Sequence, residues 1–145
     1  MSNSEAEHDE RAVLAANAAF YHALEKRDLG QMGAAWWHDD WVQCLHPSWP
    51  LVRGWEEVLQ SWAEIFRSVS QLNVSVTRPL VRVLGEAAWV SCIEQVTTAL
   101  EGDFASVRVE ATNIFARRRG HWKMVHRHTT PLPGSGFVEP SRSVQ

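Results

Sequence analysis

The hydrophobic period of the sequence changes once, near its midpoint, and this change limits the fold more than any other feature. Up to Val69, apolar residues recur every three or four positions, as they do on one face of a helix. After Ser70, apolar and polar residues alternate, which is typical of strands with one buried face. Helices followed by strands predict an α+β domain with an antiparallel sheet.

Three helices are predicted in the first half of the chain. Residues 10–27 form the first, because apolar residues share one helical face and the many alanines favour a helix. A short second helix is expected over residues 31–37 and a third over residues 55–69. Between them, residues 41–45 form a short β-prone segment that ends before two closely spaced prolines.

Five strands are predicted in the second half, with glycine and proline residues at most of the turns between them. They cover residues 72–77, 80–84, 87–99, 106–117 and 122–130. The last three are long and joined by short turns, so they should form an antiparallel meander. Because little else can cover the second face of such a sheet, we expect a homodimer in which both subunits contribute the same patch.

The periodic part of the chain makes up a single domain over residues 10–131. A length of 145 residues suits one domain with short tails. We expect a flexible N-terminus over residues 1–9. A flexible C-terminal tail, rich in proline, glycine and serine, is expected over residues 132–145.

Charge and cysteine content exclude several classes of function. With 14 basic and 17 acidic residues the formal net charge is -3, so a nucleic-acid partner is not expected. Two cysteines cannot build a disulfide framework or a cysteine-rich zinc site. The polar, acidic start is unlike a signal peptide, and no apolar run approaches the roughly 20 residues that span a bilayer. We therefore expect a cytoplasmic protein without a membrane partner.

Several stretches resemble those of a known superfamily over residues 9–131. The matching stretches are residues 16–24 with Asp28, residues 44–49 with Gly54, residues 61–66, and residues 111–117 with Gly120 and residues 122–129. Together they resemble the nuclear transport factor 2-like superfamily. Within it, the chain is similar to the SnoaL-like branch, near bacterial relatives of the calmodulin-dependent kinase II association domain.

The resemblance implies a cystatin-like cone, in which a curved antiparallel sheet wraps around the three N-terminal helices. It also implies a pocket at the open end, lined by the first helix, the third helix and the concave face of the sheet. It does not determine a function, because this fold carries isomerases, cyclases, dehydratases, transport factors and proteins that only dimerise. Function has to be argued from the residues of the site.

Two histidines on the last strand are the strongest candidates for that site. His126 and His128 are two residues apart, so both side chains should lie on one face, together with Trp122 and Met124. In proteins of this resemblance the last strand lines the cavity, which would place both rings in the pocket. His46 precedes a proline at a strand end, where a loop can form the rim of a pocket.

The remaining candidates would bind a ligand rather than react with it. The sequence has eight tryptophans and one tyrosine, which predicts an interior or an interface walled by aromatic rings. Besides His46, the predicted ligand-binding residues are Trp41, Trp49, Trp62, Asn113 and Trp122. Our first interpretation is a pocket that binds a small, mainly apolar molecule without a cofactor.

Three alternatives remain open from the sequence. One is cofactor-independent isomerisation, cyclisation or dehydration, with His128 or His126 as the base and Tyr21 as a hydrogen-bond donor to the developing oxyanion. Glu94 and Glu110 could take part only if they face inward. A second is a pure oligomerisation module. A third, a metal site formed by His46, His126 and His128, is disfavoured because such histidines more often form hydrogen bonds, and we predict no metal.

Overall fold

The computed structural model describes residues 3–100 and 102–132, and within this range the chain forms three helices and six strands. These are α1 (Asn3–Lys26), α2 (Leu29–Ala34), β1 (Gln43–Leu45), β2 (Val52–Arg53), α3 (Trp55–Ser68), β3 (Gln71–Leu84), β4 (Ala87–Leu100), β5 (Asp103–Arg118) and β6 (His121–Pro131). The predicted α+β class and the order of helices before a curved sheet are confirmed. Among the described helices, none combines the length and the hydropathy needed to cross a membrane.

The sheet is built from the predicted meander with a short extension at one edge. Its strand order is β2-β1-β6-β5-β4-β3, with β3 to β6 antiparallel and β1 parallel to β6. The two strands predicted over residues 72–77 and 80–84 form one strand, β3, whose register shifts between Thr77 and Leu80. Pro79 lies at this irregularity, and it is tolerated because β3 is an edge strand.

The helices cover one face of the sheet, here called the inner face, and leave the opposite, outer face open. The core on the inner side combines apolar residues of all three helices with those of the long strands. Its largest members include Val13, Phe20, Met32, Trp36, Val58, Trp62, Val90, Phe115 and Met124. The second helix is shorter than the predicted residues 31–37 and ends at Ala34; Met32 within it and Trp36 just after it are both fully buried.

One extra residue in β6 reverses the face on which its later side chains lie. Ile114 pairs with His126, but the next residue of β5, Phe115, pairs with Met124, which leaves Val125 as a β-bulge. Beyond the bulge the buried positions are Arg127 and Thr129.

The bulge places both histidines of β6 on the outer face. Arg127 pairs with Cys44 on one side and with Asn113 on the other, and both partners are buried on the inner face. His126 and His128, on either side of Arg127, are therefore turned outward. The prediction that they share a face with Trp122 and Met124 is wrong, because it assumed unbroken alternation along the strand.

The first helix begins earlier than the sequence pattern suggests. Residues 3–9 continue α1, although a flexible N-terminus was expected over residues 1–9. Within this segment Asp9 contacts the sheet, since its carboxylate lies 2.9 Å from Arg117 Nη1 on β5. At the other end, Leu132 N–H donates to the Arg108 carbonyl at 3.0 Å. The rest of the predicted tail, residues 133–145, lies outside the described residues.

Candidate functional site

A cavity of about 150 Å³ lies between α1, α3 and the inner face of the sheet. Most of its wall is apolar, and the aromatic share comes from two tryptophans. The apolar lining residues include Leu24, Trp49, Trp62, Ile65, Leu72, Val96 and Val107. An engineered protein cavity of about 150 Å³ accepts one benzene molecule, so this cavity is large enough for a single six-membered ring.

Arg127 and Glu94 bring an ion pair to this wall. Arg127 Nη1 donates to Glu94 Oε2 at 2.7 Å and Nη2 donates to Oε1 at 3.0 Å. Both side chains are buried, with 3% and 0% of their surface exposed. Burial by itself lowers the pKa of Arg127, but interactions with Glu94, Tyr21 and Cys44 together outweigh it, and the net pKa lies above the usual value. The guanidinium therefore stays charged, and its charge is balanced in place.

A hydrogen-bond network behind the cavity holds this ion pair in position. The Tyr21 hydroxyl donates to Glu94 Oε2. Asn113 Nδ2 donates to Asn17 Oδ1 at 2.9 Å and to the Tyr21 hydroxyl at 3.0 Å, while Asn113 Oδ1 accepts from Arg127 Nη1 at 3.2 Å. Burial raises the pKa of Tyr21, so the phenol keeps its proton. Neither Tyr21 nor Asn113 belongs to the described cavity wall.

His46 lines the cavity as a neutral ring. The Ser61 hydroxyl donates to the Val58 carbonyl at 2.6 Å, so its oxygen is left to accept from His46 Nε2 at 2.9 Å. Nε2 therefore carries the ring proton. Burial, assisted by the positive charge of Arg127, lowers the pKa of His46 to about 3. The ring also packs edge-on against Trp49 and Trp62, at centroid distances of 5.0 and 4.5 Å.

The structure brings three predicted ligand-binding residues, His46, Trp49 and Trp62, together in the cavity wall. The other three predicted residues are not in that wall: Asn113 belongs to the network behind the cavity, and two tryptophans lie farther away. Trp41 is 53% exposed, with its ring 5.9 Å from the Arg118 guanidinium carbon. Trp122 is buried beneath Arg117, whose guanidinium carbon lies 5.0 Å from the ring centre. The sequence could not show this, because an indole fills a core as readily as it lines a pocket.

The predicted catalytic histidines are also outside the cavity wall. The rings of His126 and His128 stack on the outer face with centroids 5.9 Å apart. The alternative of a metal site shared with His46 is wrong, since His46 lies on the inner side. Within residues 3–100 and 102–132 no group of three or more His, Cys, Asp or Glu side chains is placed to hold a metal ion.

Sequence reasoning missed Arg127 and found Glu94 only conditionally. Strict alternation from Trp122 assigned Arg127 to the outer face. The neighbouring apolar residues Met124 and Val125 were the available sign of a bulge, but two adjacent apolar residues are equally typical of a strand buried on both faces. Glu94 does face inward, but only the pairing register of β4 establishes this, and the sequence does not reveal that register.

The SnoaL-like domain family matches residues 13–132, and the chain belongs to this family, within the NTF2-like superfamily. A solved structure from Streptomyces avermitilis, described as a candidate dehydratase of the NTF2-like family, is 32% identical, with a TM-score of 0.82. That alignment covers 87% of this chain and 97% of the other.

Two further relatives show how varied the family is. A solved structure from Thiobacillus denitrificans, described as a candidate calcium/calmodulin-dependent protein kinase type II association domain, is 30% identical with a TM-score of 0.66. It covers 81% of this chain and 93% of the other. The F-box protein SKIP8 of Arabidopsis thaliana is 32% identical over 122 residues, 84% of this chain. The match spans only 50% of the plant protein's length.

Proposed function

We propose that the protein binds a small, mainly apolar molecule in the cavity between α1, α3 and the inner sheet face. The observation that carries the proposal is an apolar cavity walled by Trp49 and Trp62 with a few buried polar groups at its surface. This combination is typical of small-molecule sites, in which apolar area provides affinity and a few polar groups fix orientation.

The protonation states favour binding over chemistry. A general base works best when its pKa lies near the operating pH, and the pKa of His46 is about 3. Tyr21 has a raised pKa and its proton is already engaged by Glu94. The neutral ring of His46 and the protonated phenol of Tyr21 therefore favour an ordered binding site over a proton relay.

Binding of fluorobenzene, followed by ¹⁹F NMR, tests this proposal. Ala105 lines the cavity and is buried, so Ala105→Phe should fill the space and abolish the shift and broadening of the fluorine signal. The control is Ala87→Phe, the same substitution at an exposed position of β4, which should leave binding unchanged. Circular dichroism would confirm that both variants fold. Equal binding by the wild type and a folded Ala105→Phe variant would place the ligand elsewhere and overturn the proposal.

A second candidate is cofactor-independent acid–base catalysis, as in an isomerase, cyclase or dehydratase. The Glu94 carboxylate lines the cavity, and the Streptomyces avermitilis relative is described as a candidate dehydratase. The simplest such reaction is proton removal next to a carbonyl group. Incubation with cyclohexanone in D₂O, followed by ¹H NMR, would reveal it as faster loss of the α-proton signals. Unchanged loss relative to buffer would count against this reaction, as would equal rates for Glu94→Gln and wild type.

The outer sheet face supports a proposal of homodimerisation. Trp89, Ile93 and Ile114 are only half buried there, and Leu80 is 49% exposed on the neighbouring strand. An apolar sheet face of this kind is covered most simply by the same face of a second copy. The Thiobacillus denitrificans relative, described as an association domain, is consistent with assembly through this fold.

A further inference from the structure

We propose that Trp49 determines the size of the ligand that the cavity accepts, a role that rests on the proposed binding function. Its ring closes the cavity towards a neighbouring groove on α3, and this limits the ligand to a compact molecule with one ring. The wall between the two spaces is one side chain thick, so a substitution can open it.

The groove lies on the other side of Trp49 from the cavity. It has a volume of about 360 Å³ and is lined by Trp49, Val52 and residues of α3, among them Glu57, Ser61 and Glu64. Trp49 also lines the cavity of about 150 Å³, and among the described residues it alone belongs to both linings. A side chain that lies against both spaces forms part of their boundary.

A hydrogen bond within this boundary shows how thin it is. His46 lines the cavity and Ser61 lines the groove, and His46 Nε2 donates to Ser61 Oγ at 2.9 Å. The Trp49 ring lies edge-on against the same histidine, with centroids 5.0 Å apart. Trp49 and the bonded His46–Ser61 pair therefore form a single layer of side chains between the two spaces.

The backbone around Trp49 fixes the position of its ring. Trp49 N–H donates to the His46 carbonyl at 3.0 Å, which closes a β-turn. Pro47 at the second position of this turn and Ser48 at the third, with a φ of 72°, match a type II turn. Pro50 restricts the backbone of Trp49 from the other side. The turn therefore holds the backbone of Trp49 in place, and the contact with His46 orients the ring.

Removal of the Trp49 ring should join the cavity to the groove. The cavity alone has room for about one six-membered ring, whereas the joined space would bury a second one. Burial of one more aromatic ring strengthens binding by at least about tenfold. Because polar side chains such as Glu57 and Gln60 line the groove, a ligand that reaches it should end in a polar group.

Two fluorinated compounds that differ by one ring test this role: fluorobenzene and 4′-fluorobiphenyl-4-ol. Both would be titrated into the full-length protein and followed by ¹⁹F NMR. In the wild type we expect the two-ring compound to bind no more tightly than fluorobenzene. In Trp49→Ala the ratio of the two affinities should shift towards the two-ring compound by at least about tenfold.

Ile65→Ala is the matched control. Ile65 lines the cavity and is absent from the described lining of the groove. Its truncation should therefore enlarge the cavity without joining the two spaces, and the ratio of the two affinities should stay unchanged. The double variant Trp49→Ala with Ala105→Phe keeps the boundary open but fills the cavity, so it should bind neither compound.

Circular dichroism would confirm that each variant folds. If Trp49→Ala does not fold, Trp49→Leu takes its place, because it retains an apolar side chain and still removes most of the ring. The affinity ratio should then shift in the same direction by a smaller factor.

The outcomes separate this role of Trp49 from the proposed function. A wild type that already prefers the two-ring compound, or an unchanged ratio in a folded Trp49 variant, would overturn the proposal and leave fluorobenzene binding intact. An equal shift in Ile65→Ala would also overturn it, because enlargement alone would explain the shift. Binding of the two-ring compound to the double variant would overturn it too, since the ligand would then lie in the groove. A wild type that binds neither compound would remove the proposed function together with this role.

Discussion

Arg127 on β6 and Glu94 on β4 form a bidentate ion pair across β5, the strand between them. Neither partner has more than 3% of its side chain exposed. Loss of one partner would leave a buried charge without compensation, which typically destabilises a protein by roughly 3–5 kcal/mol. We therefore expect Glu94→Gln to lower the free energy of unfolding by an amount in this range, measured by urea denaturation.

Two controls separate this effect from a general loss of charge. Glu86→Gln removes the partner of an exposed ion pair with Arg117, so it should scarcely change the urea midpoint. The double variant Glu94→Leu with Arg127→Leu removes both buried charges and should be more stable than Glu94→Gln alone. A Glu94→Gln protein as stable as the wild type would show that the pair contributes no stability.

The lowered pKa of His46 predicts how the free energy of unfolding depends on pH. Its pKa is about 3 in the folded protein and ~6.5 in an unfolded chain, so between these values the unfolded state binds one more proton. The contribution of neutral His46 to the free energy of unfolding should therefore be fully present above about pH 6.5. It should decrease as the pH is lowered towards 3, by up to about 1.4 kcal/mol per pH unit. Urea denaturation between pH 4.5 and 7.5 measures this slope.

His46→Gln is the matched variant, because it cannot take up a proton. The free energy of unfolding of this variant should fall less steeply with decreasing pH than that of the wild type. Between pH 4.5 and 6 the difference in slope should correspond to the uptake of close to one proton on unfolding. Parallel pH profiles for the two proteins would contradict the lowered pKa of His46.

The architecture could be predicted from the sequence because it depends on hydrophobic period, which is a local property. The change after Ser70 separates helices from strands, and glycine and proline mark most of the turns. The start of α1 is an exception. Residues 3–9 are polar apart from Ala6, so no apolar period marks their helix, and Asp9 among them contacts Arg117, a partner far away in the sequence.

The site was less predictable, because it depends on register. Because of a single extra residue, Val125, the inner face carries Arg127, whereas His126 and His128 lie on the outer face. No local preference specifies that bulge. His46, Trp49 and Trp62 could be predicted from the sequence, because the strand end and the helix that carry them do not depend on the register of β6. The Arg127–Glu94 pair needed the alignment of three strands.

Both cysteines should be unreactive in the folded protein. Cys44 and Cys92 are buried free thiols, and burial raises the pKa of Cys44 to about 12 and that of Cys92 above its usual value. The reactive thiolate is therefore scarce at neutral pH. We expect Ellman's reagent at pH 8 to modify both thiols in urea and neither within minutes in buffer. Rapid modification of the native protein, lost in Cys44→Ala, would show that the β1 region opens readily.

The outer face of the sheet leads to a prediction about assembly. Ile114 lies at the middle of this face on β5, between Trp89 of β4 and His126 of β6. An aspartate at this position would bury a charge in a face-to-face dimer, which costs several kcal/mol. We expect Ile114→Asp to convert a dimer into a folded monomer, measured by size-exclusion chromatography with light scattering. The control, Leu29→Asp on α2, lies on the helical side and should remain dimeric. A wild-type monomer, or an Ile114→Asp dimer, would exclude this interface.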